Sequence, residues 1–103
     1  MNQLYRPLGV LKEIIESIGL SLSYAYDDLV FVEGNPFMIR FDDNIPGHFF
    51  VHMNKDCNPT DVIDLQNRIK NAAALRECTI SISDRYYLEE DAEKEEIEVV
   101  FVK

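Results

Sequence analysis

Tryptophan is absent from this 103-residue chain, and glycine, proline and cysteine are scarce, at four, four and two residues. Two cysteines in so apolar a chain exclude a disulfide-stapled scaffold, and a reducing compartment keeps Cys57 and Cys78 as thiols. No apolar run approaches the roughly 20 residues that cross a bilayer as a helix. Positive charge is also short, with ten Lys and Arg against nineteen Asp and Glu, a formal net charge of -9. Phosphate backbones and anionic lipid would be repelled, so neither nucleic acid nor a membrane surface is expected as a partner. The opening MNQLYRPLGV lacks the basic and apolar regions of a secretory signal, and a cytoplasmic location is the expectation.

What the chain does contain is core-forming material, with 47% hydrophobic and 11% aromatic residues. That is too much for disorder, and the length suits a single domain over residues 1–103. Leu8, Leu11, Ile14, Ile15 and Ile18 recur at helical spacing between Pro7 and Gly19, which predicts an amphipathic helix over 8–18. Asn58 as cap, Pro59 at the first helical position and Asp61 in the first turn open a second helix, expected to reach Leu75. Its apolar stripe is Val62, Leu65, Ile69, Ala72 and Ala73.

Between the helices the period falls to two. Leu20, Leu22, Tyr24 and Tyr26 alternate with small residues as a strand with one buried face. Asp27-Asp28 makes a two-residue turn into LVFVE, FMIRFDD is a third strand, and HFFVHM is a fourth. CTISIS and IEVVFVK add two more, joined by the acidic DRYYLEEDAEKEE. The expected fold is α+β in the order α-β-β-β-β-α-β-β, one mostly antiparallel sheet of about six strands with both helices on a single face.

The stretch GHFFVHMNKDC brings both histidines near a cysteine. On a strand, His48 and His52 share a face yet sit roughly 13 Å apart, too far to converge on a zinc ion, so no metal is expected. Cys57 precedes a helix N-terminus, which favours a thiolate, and a small thiol-dependent enzyme using Cys57 with His48 or His52 is the alternative reading. Against it, Asp56 opposes a thiolate, and no orienting group or oxyanion hole is recognisable. The acid clusters at Asp27-Asp28, Asp42-Asp43 and Glu89 to Glu96 lack calcium-loop spacing, and neither a phosphate loop, a cofactor motif nor a serine-centred motif appears.

The sheet face away from the helices remains to be explained. It should present some of Val30, Val32, Met38, Arg40, His48, Phe50, His52, Val100 and Val102, the register of the second strand being ambiguous. A contiguous apolar face needs cover from a protein partner, from a second copy, or from the DRYYLEED segment folded back with Tyr86, Tyr87 and Leu88. A non-enzymatic protein-binding or chaperone-like domain is the leading expectation, with Phe50 as central anchor, Arg40 beside it, and Met38, His48 and His52 around them. Two histidines on one such face would also make association pH-responsive.

The segments LKEIIESIGL, LSLSYAY to FFVHM, the helix from Pro59, then CTISIS and IEVVFVK resemble, in their order and in the acidity of the chain, the type III secretion chaperone-like fold. That resemblance covers nearly all the chain and carries no residue motif. It implies dimerisation and binding of an extended segment of another protein.

Overall fold

The structure is a computed structural model that describes residues 7–93 and 96–102. Helix α1 (Leu8–Ser17) is followed by strands β1 (Leu22–Tyr26), β2 (Leu29–Val32), β3 (Phe37–Phe41) and β4 (His48–Met53), helix α2 (Pro59–Ala74), and strands β5 (Thr79–Ile82), β6 (Arg85–Asp91) and β7 (Glu96–Val102). The α+β class holds, but the strands form two sheets rather than one of six. Five make a sheet in the order β1-β2-β3-β4-β5, and β6 and β7 make a separate pair. The extra strand comes from the acidic connection: its YYLEE part has enough β-forming residues to pair with β7, so it is a strand and not a loop. Lys94 and Glu95 of that connection lie outside the described residues.

Both helices end as their sequences dictate. Gly19, at φ +85°, lets the chain turn left-handed after α1, so its N–H bonds Glu16 O (3.0 Å) and that of Leu20 bonds Ile15 O (3.2 Å), a Schellman closure. At the start of α2 the Asn58 side chain accepts from the Thr60 N–H at 2.9 Å. Arg68 of α2 donates to Ile18 O at 2.6 Å, tying α2 to the C-terminal end of α1.

Register fixes which residues share a face. The rows Val30–Ile39–Val51–Ile82 and Phe41–Phe49–Ile80 lie under the helices and pack with Leu11, Ile14, Ile15, Ile69 and Ala73. Cys78 fills the same core. The opposite face carries Leu29–Arg40–Phe50–Ser81 and Phe31–Met38–His52. Val30 and Val32 are therefore core residues and not part of the second face. The two-residue Asp27-Asp28 turn decides this by setting Tyr26 opposite Leu29, with Asp27 at φ +54°. Val100 and Val102 pair with Tyr87 and Arg85 in the β6–β7 hairpin and lie outside the five-stranded sheet.

Strand β1 departs furthest from simple alternation. A bulge at Ser23 places Leu22 opposite Val32, while Tyr24 faces Phe31 and Tyr26 faces Leu29. Leu20 and Leu22 accordingly join the core, and the tyrosines go to the other side. The expected single buried face from Leu20 to Tyr26 is thus divided, because one extra residue exchanges the two faces of a strand.

Glycine substitution tests the backbone account. Neither Gly9 nor Gly19 has an atom within 4 Å of an added Cβ, and only Gly19 has positive φ. Gly19→Ala should lower unfolding free energy by about 1 kcal/mol, whereas Gly9→Ala within α1 should raise it by about 0.5 kcal/mol. Urea denaturation of the two variants should show this opposite sign.

Candidate functional site: a groove under the C-terminal hairpin

The hairpin β6–β7 folds back over the face that the helices leave open. Its anchor is Tyr86, fully buried, which bridges to Asn54 beyond the end of β4 and whose carbonyl accepts from the Lys55 N–H at 2.9 Å. Burial pushes the Tyr86 hydroxyl up to about 12. Tyr86, Leu88 and Glu90 stand opposite Phe101, Val99 and Ile97, and this side of the hairpin turns toward the sheet, as the Phe101 ring on His52 shows. Tyr87 belongs to the other side, where Lys55 Nζ lies 4.4 Å from its ring centroid.

Cover is complete over one part of the sheet only. Met38 and His52 are buried. The Phe101 ring lies 4.7 Å from that of His52, whose Nδ1–H donates to Asp84 O (2.7 Å) and whose Nε2 accepts from Arg40 Nε (3.4 Å). Phe50 is half-buried between Arg40, 4.3 Å above its ring, and His48, at 4.9 Å edge to face. Of the expected contact residues, Phe50, Arg40 and His48 keep partial exposure, and they shield one another.

Toward β1 the hairpin stands off the sheet. There a groove of about 660 Å3 is walled by Tyr24, Tyr26, Leu29 and Phe31 on one side and Leu88, Ile97 and Val99 on the other. Tyr24, Tyr26 and Ile97 are 61%, 64% and 66% exposed. No local signal announces this cluster, since Tyr24 and Tyr26 read as a continuation of Leu20 and Leu22. Glu96 borders the groove, and Glu89, Glu90, Glu93 and Glu98 gather at the hairpin tip.

The thiol reading finds no support in the geometry. Cys57 packs against the helix-side core, and burial, then Asp61, push its thiol up. Neither histidine turns to it, because both rings of His48 and His52 are held by other partners. Among the described residues no group of three or more His, Cys, Asp or Glu side chains is placed to hold a metal, and no helix is long and apolar enough to cross a membrane.

His48 instead sits between an acid and a hydroxyl, with Nδ1 2.8 Å from Asp42 Oδ2 and Nε2 2.7 Å from Ser81 Oγ. The hydrogen bond from His48, then that from the Asn44 N–H, holds the Asp42 carboxyl below its usual range. Neither Asp42 nor Ser81 carries a local motif; they meet His48 only through strand register.

The His52 latch has a pH signature. Burial, chiefly, and the Arg40 charge depress its pKa, against the Asp84 carbonyl and the carboxylates of Asp84 and Asp28. In the unfolded chain the imidazole titrates near 6.5, so below that pH the unfolded state binds a proton that the folded state resists, and stability falls with acidification. The urea midpoint should drop between pH 7.5 and 5.5, and His52→Gln should flatten that slope. An unchanged slope in the variant would remove His52 as its source.

Comparison with family models, with curated proteins and with solved structures finds no match to this chain.

Proposed function

We propose that the chain is a cytoplasmic protein-binding domain that takes an extended segment of a partner protein into the groove between β1–β2 and the β6–β7 hairpin. The observation that carries this reading is the gathering of Tyr24, Tyr26 and Ile97, each more than 60% exposed, around one groove. Scattered apolar residues need no explanation, but large ones converging on a concave surface mark a binding site. Strand β1 is the edge of its sheet, so its outer backbone groups are placed to pair with an added strand while the groove receives alternate side chains.

Charge selects the partner. Glu96 borders the groove, four more glutamates crowd the hairpin tip, and the whole chain carries -9. A second copy would bring the same charge, whereas a segment alternating apolar residues with Lys or Arg complements both the groove and its border. A separate basic protein is therefore favoured over the homodimer. The resemblance in element order to secretion chaperone-like folds supports the same mode of binding.

Selection from a displayed library of 12-residue peptides tests this directly. Enriched sequences should alternate apolar residues with Lys or Arg, and Tyr24→Glu and Ile97→Lys should each weaken the best of them by about tenfold or more. Enrichment without basic residues, or affinity indifferent to both substitutions in folded variants, would refute the proposal.

A further inference from the structure

The hydrogen-bonded series Asp42–His48–Ser81 has the arrangement of a nucleophile, its base and the group that orients the base. It lies away from the groove: Ser81 is on β5, at the opposite edge of the sheet from β1. We infer that Ser81 and His48, positioned by Asp42, form an acyl-transfer site for small carboxylic esters, a second site that goes beyond the binding reading and does not depend on it.

Three observations carry the inference. The first is the pattern of bonds. In a neutral His48 whose Nδ1–H donates to the Asp42 carboxylate at 2.8 Å, the Nε2 lone pair faces the Ser81 hydroxyl at 2.7 Å, which is the tautomer that accepts a proton from a nucleophile. The second is the contrast in burial along the series. The Asp42 and His48 side chains are 8% and 13% exposed, while Ser81 is open to solvent, so the acid and base are sheltered and the attacking oxygen is accessible.

The third observation is the sheet edge. Thr79 and Ser83 send their N–H groups to the carbonyls of Gly47, just before β4, and of Val51 on β4, at 2.9 Å each. Alternation along β5 therefore turns the N–H of Ile82, the residue after Ser81, to the outer edge, outside the β4–β5 ladder; in the proposed site it serves as the donor to the oxyanion. Phe50, opposite Ser81 in register and half-buried, is the apolar neighbour on that face for the acyl or alcohol portion.

The reaction conserves atoms and protons without a further reagent besides water. Ser81 Oγ bonds to the ester carbonyl carbon as its proton passes to His48 Nε2. The tetrahedral adduct then breaks its bond to the alcohol oxygen, which leaves with the proton from His48. Water attacks the acyl-serine carbon, giving one proton to His48, which returns it to Ser81 as the acid departs. The site is a shallow surface, so small esters with good leaving groups are the expected substrates.

The test treats the intact chain with a fluorophosphonate probe and locates the adduct by peptide mass spectrometry, with p-nitrophenyl acetate hydrolysis followed in parallel. The adduct should fall on Ser81 in preference to Ser21, Ser23 and Ser83, and Ser81→Ala should abolish it. His48→Gln, which can keep hydrogen bonds but takes no proton at this step, should slow both labelling and hydrolysis by about a hundredfold or more. Asp42→Asn should lower kcat with KM unchanged. Circular dichroism establishes that each variant is folded. Absence of a Ser81 adduct in wild type, or equal labelling in folded His48→Gln, would overturn the inference and leave the series as a bond that pins β5 to β4.

Discussion

The face exchange in β1 is the constraint on which the rest of the open side depends. A strand continuing the Leu20–Leu22 alternation would carry Tyr24 and Tyr26 with those leucines, toward the helices. The bulge at Ser23 lets the leucines stay in the core and sends both tyrosines to the face they share with Leu29 and Phe31. Two large aromatic side chains are thereby left where no helix reaches. The hairpin supplies the only wall opposite them among the described residues, and it closes over Met38 and His52 without closing over the tyrosines.

The hairpin's position follows from what β4 offers on its open side. A neutral His52 accepts from Arg40, donates to Asp84 O and meets the Phe101 ring, so one buried imidazole links β3, the start of β6 and the end of β7. Such a group needs all its partners, because a buried ring nitrogen without a hydrogen bond is costly. Four residues earlier on the same strand, His48 is held quite differently, by Asp42 and Ser81. The histidines share a face yet occupy separate networks, one structural and tied to the hairpin, the other opening onto the far edge of the sheet.

Much of this architecture was legible in the residues, and what was hidden has a common cause. The helices follow from local signals that the structure retains: apolar spacing, Gly19 at a left-handed closure, Asn58 capping Thr60. The side assignments of β3 and β4, with His48, Phe50 and His52 away from the helices, followed from alternation alone. Features that depend on pairing between strands were not readable in the same way. Ser23 has no property that announces a bulge, the faces of β2 were settled only by the Asp27-Asp28 turn, and Asp42, His48 and Ser81 meet through the register of three strands. YYLEE reads as a connection because its charge outweighs its β-forming residues; pairing with the apolar β7 reverses that balance.

The orientation of the two tyrosines is the central claim, and nuclear Overhauser contacts from their rings measure it most directly. Tyr24 should show contacts to the Phe31 ring, whose centroid lies 6.3 Å away, and Tyr26 to Leu29, with none to Leu11, Ile14 or Ile15. Contacts from either ring to those α1 residues would mean that β1 runs without its bulge, and the groove as described would not exist.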